Sequence, residues 1–210
     1  LRTPLAVIKV YLEALVDGIE QDKDSYPIMQ RKVEQLERLI QDIYLLSKTN
    51  VNQLEIEKEN FTIDSLLQEL AGTFTPLTEK QNLSLNIYCY LPYDVSVEGD
   101  WLRLIQAFSN VLQNSINYTN EGGNIQITAN KQERGVLIQI DDSAPDVPAE
   151  KLDKLFDRFY RVESSRNRAT GGSGLGLSIT KAIIEAHNGR ISLTPSNIGG
   201  LSTKIYLPSI

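Results

Sequence analysis

The sequence predicts an α+β protein. A helical hairpin completes a four-helix bundle with a second copy, and an α/β sandwich follows, in which a mixed sheet carries helices on one face. Three observations lead there. Apolar residues near the start recur at alternating spacings of four and three, which is a heptad seam. Beyond residue 51, helix-like and strand-like stretches interleave without the regular strand-helix alternation of a parallel sheet. The glycine-rich "GGSGLGLSI" runs directly into a helical pattern.

The first seam is Leu1, Leu5, Ile8, Leu12, Leu15 and Ile19; the second is Met29, Val33, Leu36, Ile40 and Ile43. Asp17-Gly18 and "EQDKDSYP" separate them, and the second ends near "SKTNVNQ". Two such helices joined by a short polar loop form an antiparallel hairpin. One hairpin cannot cover its own stripes, whereas two copies can. Residues 1–50 are therefore expected to be a homodimerisation module. Its opening, "LRTPL", admits two readings. Thr3 could cap a helix that begins at Pro4. Alternatively, the helix runs on from further upstream and Pro4 marks a kink. The seam already includes Leu1, and position 1 is not Met, which favours the second reading.

Across residues 51–210 the elements follow in order. "QLEIEKENF" reads as a strand and a turn, and Asp64 as the cap of the helix "SLLQELAGTFTPLTEKQ". "LSLNIYCYL" and "DVSVEG" alternate like strands, with Cys89 expected to fill the core. Asp100 caps "WLRLIQAFSNVLQNSINYT", whose buried face is marked by Leu102, Ile105, Phe108, Val111 and Leu112. "GGNIQITANKQERGVLIQIDDS" is a hairpin. "GLGLSITKAIIEAHNGR" is a helix closed by Gly189, with His187 complementing the dipole at its end. "RISLTPSNIGGLSTKIYLP" supplies two final strands.

Composition narrows the function. The net charge is −6 and no basic cluster is present, which argues against a nucleic-acid partner. A single cysteine excludes an internal disulfide and disfavours a cysteine-ligated metal. No apolar run approaches the roughly 20 residues of a membrane span, and no signal-peptide pattern opens the chain, so it reads as cytoplasmic.

Four stretches carry candidate chemistry. Gly172, Gly174 and Gly176 let backbone approach a ligand closely, and the helix they open offers free N–H groups to phosphate. A flexible loop before a helix is the plain alternative; the dinucleotide fingerprint does not fit, because the third glycine is misplaced and no strand precedes. Asn110 and Asn114 lie four apart and share a helix face. Their amide oxygens suit a Mg²⁺ that bridges to phosphate. Surface asparagines are the alternative, less comfortable beside Phe108, Val111 and Leu112. Asp142 ends a strand, where it can accept the exocyclic amine of adenine or simply form a turn. About thirty residues then separate it from Gly172, a length typical of lids or of disordered segments. Arg158, Arg161, Arg166 and Arg168 in that stretch can meet phosphate, although a solvated loop fits the last two equally well.

In this order the stretches resemble the conserved boxes of bacterial sensor histidine kinases, over essentially the whole chain. "LRTPL" resembles the tail of the H box, His-Glu-Leu-Arg-Thr-Pro-Leu. "NVLQNSINYT" resembles the N box, "DDSAPDVP" the first glycine box, "LFDRFYR" the F box and "GGSGLGLSI" the second glycine box. "DSAP" and "RFYRVESSRNRATGGSGLGL" are similar in particular to envelope-stress sensors of the Bae type.

The resemblance implies a dimerisation and histidine-phosphotransfer hairpin at 1–50, its acceptor histidine upstream of Leu1. It implies a catalytic domain at 51–210 with the Bergerat (GHKL) ATP-binding fold of gyrase and Hsp90. Mg²⁺-ATP would be the cofactor, with Asn114 as the metal ligand and Asn110 beside it in binding and catalysis. Tyr118 would stack on adenine, Asp142 would bond its amine, and Ala144 would lie in the same pocket. Gly172, Gly174, Leu175 and Gly176 would shape the phosphate pocket and lid hinge. Arg161 would meet the γ-phosphate, and Thr3 would support the reverse, phosphatase reaction. The partner would be a response regulator receiver domain. The chain would be the cytoplasmic part of an inner-membrane sensor, reaching the membrane only through segments outside it.

The sequence also departs from the pattern. Ala144 and Asp146 replace the glycines of Asp-x-Gly-x-Gly, and Asn117 stands where many relatives carry Lys or Arg. The one histidine present is His187, outside the hairpin. Two other functions stay open. A GHKL ATPase would want a glutamate base where Asn110 stands. A non-catalytic dimerisation and docking module would be consistent with the altered first glycine box.

Overall fold

A computed structural model describes residues 2–17, 25–49, 55–92, 95–162 and 173–210. The chain forms two compact units, Leu1–Gln53 and Leu54–Ile210. In the first, helices α1 (Arg2–Val16) and α2 (Ser25–Thr49) pack on one another as the two seams require. Thr3 and Pro4 lie within the first turn of α1, so Thr3 is not a flanking cap. Proline costs little there, because the first four N–H groups of a helix have no intrahelical acceptor. A kink would need helix ahead of Arg2, outside the described residues, as is Ile19. Along the seams Ile8, Leu15, Met29 and Leu36 are half-buried, while Leu5, Leu12, Val33, Ile40 and Ile43 remain exposed.

The second unit is built on a five-stranded mixed sheet of β2 (Ser84–Cys89), β4 (Asn124–Gln132), β5 (Gly135–Asp142), β7 (Leu201–Pro208) and β6 (Arg190–Pro195), in that spatial order. β2 runs parallel to β4, and the other neighbours are antiparallel. Alternation decides the faces. Ile125, Ile127, Val136, Ile138, Ile140 and Ile205 are buried, while Gln126, Thr128, Gln139 and Lys204 occupy the intervening positions on the more open face. Helices α3 (Ile63–Lys80), α4 (Trp101–Tyr118) and α6 (Gly176–Ala186) supply the other half of the core through residues such as Leu66, Phe108, Leu112 and Ile183. This is the expected sandwich, with two additions. β1 (Glu59–Thr62) and β3 (Ser96–Gly99) form a separate two-stranded sheet. A short helix α5 (Ala149–Leu152) and a 3₁₀ turn (Asp153–Phe156) occupy the first half of the stretch after β5.

Several local expectations are corrected. The first strand lies at "ENFT" rather than "QLEIE", because Phe61 is the residue that pairs across to Val97 and packs edge-on against Trp101, 5.0 Å between ring centres. The cap of α3 is Thr62, whose Oγ1 accepts the Ser65 N–H at 3.1 Å; Asp64 sits in the first turn and accepts from Gln68. Cys89 is exposed, because β2 is an edge strand. On α4 the buried stripe runs through Leu104, Ala107, Phe108, Val111, Leu112, Ser115 and Ile116, and Leu102 falls off it at 76% exposure. Asp100 does cap α4, accepting the Arg103 N–H at 3.0 Å. At the end of α6 the left-handed residue is Asn188 (φ 56°), not Gly189. Gly189 donates to Ile184 O at 2.9 Å, and a Cβ there would lie 2.5 Å from Tyr206 O.

His187 is structural, for a different reason than the dipole. It is 3% exposed and joins α6 to the cap of α4. The Asp100 N–H donates to its Nε2 at 2.9 Å, which requires the proton on Nδ1, and Nδ1–H donates to Ile183 O at 2.7 Å. Burial lowers its pKa, outweighing the Ile183 bond and the Asp100 charge, so the ring is held neutral. A neutral imidazole does not complement the dipole; its value lies in filling both bonds of a buried linkage.

Candidate functional site

The site grows from the meeting of α4, the end of β5 and the start of α6. The buried stripe of α4 fixes its rotation against the sheet. Ser115 sits on that stripe, and its Oγ donates to Asp142 Oδ2 at 2.8 Å. Asp142 is the last residue of β5 and only 5% exposed. Its Oδ1 accepts two backbone N–H groups, Leu201 at 2.9 Å and Ala144 at 3.2 Å. Burial raises its pKa; those three donors pull the other way, and the neighbouring Asp141 carboxylate adds to the rise. A carboxylate offers about four lone-pair positions. Three are filled here, so Oδ2 keeps one acceptor position for an incoming N–H donor.

Asn110 lies on α4 and is half-buried, and its Nδ2 donates to Gly176 O at 3.3 Å. This sets the first residue of α6 against the middle of α4. Thr180 reinforces the join by donating to Ala107 O and Gly176 O. Asn114, one turn further on the same face, is half-buried, and its side chain makes no hydrogen bond with a described residue. Tyr118, four residues on again, is 46% exposed. The first turn of α6 carries no acidic side chain, so its positive end is not neutralised from within the helix.

Before α6 the chain makes a close backbone approach. Gly174 has φ +71°, and a Cβ there would lie 2.9 Å from the Phe159 backbone. The Phe159 N–H donates to Gly174 O at 2.9 Å, and Phe159 itself sits at φ 63°. An aromatic residue in that region is strained, and such strain concentrates at functional sites. The F box and the second glycine box are thus joined through backbone. Leu175 is fully buried, so any contact with a ligand would be through its backbone. Arg161 is half-buried just ahead of residues 163–172. Gly172, Arg166 and Arg168 lie outside the described residues, and Thr3 belongs to the other unit.

The residues present fit an adenine nucleotide and a hard cation. One acceptor position remains on a buried carboxylate, a half-buried amide lies on α4, and the start of α6 is bonded to Asn110 of that same helix. Among the described residues no three His, Cys, Asp or Glu side chains cluster as a metal site. A cation would therefore draw its remaining ligands from phosphate and water, as Mg²⁺ does. Sequence reasoning missed Ser115, Gly200 and Leu201. Ser115 had a signal: a hydroxyl at a buried position of an apolar stripe needs a partner. The Leu201 N–H carries no side-chain signal at all.

The second unit is thus a mixed sheet covered on one face by α3, α4 and α6, with amides on α4 and a carboxylate at a strand end. Residues 99–209 match the family described as "Histidine kinase-, DNA gyrase B-, and HSP90-like ATPase", and residues 1–51 match the "His Kinase A (phospho-acceptor) domain". The chain is 43% identical over 209 residues to the signal transduction histidine-protein kinase BaeS of Escherichia coli strain K12, covering 99% of this chain and 44% of that protein. The structure of Acinetobacter baumannii histidine kinase AdeS superposes with a TM-score of 0.80 at 24% identity, over 99% of this chain and 95% of that one. Histidine kinase ThkA in complex with response regulator protein TrrA gives 0.74 at 24% identity, over 100% and 58%. The chain belongs to the sensor histidine kinase family and is homologous to BaeS over its whole length. It spans 44% of the length of that relative. No described helix is long and apolar enough to cross a membrane.

Proposed function

We infer that residues 51–210 bind Mg²⁺-ATP and pass its γ-phosphoryl to a histidine on a bundle formed by two copies of residues 1–50, for onward transfer to a response regulator receiver domain. The observation that carries this is Asp142: a buried carboxylate with three donors in place and one acceptor position left, next to the asparagine face of α4. In this reading Asp142 takes the adenine amine while Ala144 N–H holds it, and Tyr118 covers the base. Asn114 holds the cation, with Asn110 fixing the start of α6 beside it. The bound Mg²⁺ supplies neutralisation of phosphate charge. Gly172, Gly174, Leu175 and Gly176 let backbone N–H groups approach the phosphates, and Arg161 meets the terminal one. Thr3 serves the reverse reaction on the phosphorylated regulator. The regulator is proposed because ThkA was solved in complex with one. The protein would act on the cytoplasmic side of an inner membrane.

Calorimetric titration tests the nucleotide site. ATP should bind more tightly with Mg²⁺ than without, and Asn114→Ala should remove most of that difference while leaving metal-free binding within about twofold. Equal Mg²⁺ enhancement in the variant would rule out the metal role.

The homodimer rests on the exposed seam residues Leu5, Leu12, Val33, Ile40 and Ile43. Light scattering of the intact chain at micromolar concentration should read a dimer, and Leu36→Asp should shift it to monomer, since an unpaired charge in an apolar seam is costly. A monomeric wild type refutes the bundle.

A further inference from the structure

We propose that Asp146 is a positioning residue for base recognition, replacing the freedom of the family's glycine with a clamp on the β6–β7 turn. The inference rests on the nucleotide reading above. Asp142 depends on two backbone donors from different segments, Ala144 and Leu201. Nothing in covalent connectivity holds those donors together. Asp146 does: it lies two residues after Ala144, and its Oδ1 accepts the N–H of Gly200, the residue before Leu201, at 3.2 Å. The bonds close a ring through Asp142, Leu201, Gly200, Asp146 and Ala144.

The turn needs such a clamp. Gly199 and Gly200 both have positive φ, +88° and +72°, and consecutive glycines make a turn loose. Gly200 must be glycine, because a Cβ there would lie 2.4 Å from Asp142 Oδ1 and 2.6 Å from Ala144 N. The base-recognising carboxylate is therefore packed directly on the turn, and movement of the turn moves its donor. A second tie, from Ser196 Oγ to Asp141 Oδ1 at 3.1 Å, holds the other end.

The test compares Asp146→Ala and Asp146→Asn with wild type in the full chain, titrating adenosine, ADP and GDP. The alanine variant should lose about five- to tenfold in affinity for adenosine and ADP alike. Its ADP-over-GDP preference should fall by a similar factor, a ratio that simple loss of stability does not move. The asparagine variant keeps an acceptor at Oδ1 and should stay within about twofold. Unchanged affinity and preference in the alanine variant overturn the clamp. So does equal weakening in both variants, and so does tighter ADP binding with unchanged adenosine binding, which would mean that Asp146 acts by repelling phosphate. A wild type that binds neither adenosine nor ADP would instead refute the nucleotide reading itself.

Discussion

Asp142→Asn is expected to weaken ADP binding by about 30- to 100-fold, on the order of 2–3 kcal/mol, while leaving the unit folded. The substitution is isosteric, and the donors already present decide which way the amide points. With its oxygen at the Oδ1 position it still accepts the Leu201 and Ala144 N–H groups, and the Ser115 hydroxyl rotates to accept from the new NH₂. The opposite orientation would set NH₂ against two N–H donors. The favoured orientation leaves a donor where the carboxylate had its last acceptor position. An adenine amine then meets a donor, whereas the six-position oxygen of guanine meets a partner. The ADP-over-GDP ratio should therefore collapse along with ADP affinity. Acidity offers a second readout. Burial raises the Asp142 pKa above the ordinary 3.8, so on acidification the wild-type site takes up a proton earlier than a free carboxylate would. Protonation fills the acceptor, and adenosine affinity should decline as pH falls through that raised value. Calorimetry showing the same ADP affinity and the same base ratio in the variant would remove Asp142 from the base pocket.

Incubated with labelled Mg²⁺-ATP, the chain as it stands is expected to carry no phosphohistidine. Its one histidine, His187, is 3% exposed and uses both ring nitrogens, one on Ile183 and one on Asp100. A nucleophile needs a free lone pair within reach of the phosphoryl group, and His187 has neither the lone pair nor the access. Placing His-Glu ahead of Leu1, with a turn or more of helix before it, should bring label onto the hairpin. Thr3 would then fall four residues after the new histidine, on the same helical face. Thr3→Ala in the extended chain should lower phosphatase activity toward a phosphorylated regulator more than kinase activity. Label on the unextended chain at the level of the extended one would sink this assignment, as would label on the extended chain that peptide mapping places on the segment holding His187.

What could be read from residues alone was whatever a local pattern carries. The four-three spacing of Leu5, Ile8, Leu12 and Leu15 announces α1, because a helix returns to the same face every three or four residues. The same periodicity puts Asn110 and Asn114 on one face of α4. Alternation in "NIQITANKQ" and "GVLIQIDD" defines the β4–β5 hairpin and leaves Asp142 at its end. Motif order then pointed to the family, and the family matches bear it out.

Only the tertiary structure decided the rest, because those features depend on partners far away in the chain. Phe61 marks a strand only when Val97 pairs with it. Cys89 is exposed because sheet order leaves β2 without an outer neighbour. His187 is a linkage because a backbone N–H 87 residues earlier meets its ring. Asp142 is held by an N–H 59 residues later, and Asp146 is a candidate clamp because Gly200 folds back onto it. Helix phase and strand alternation are short-range sterics and are written into any window of ten residues. Which buried donor meets which acceptor is settled only when the sheet closes, since an unpaired polar group inside the core costs too much to be left to local chance.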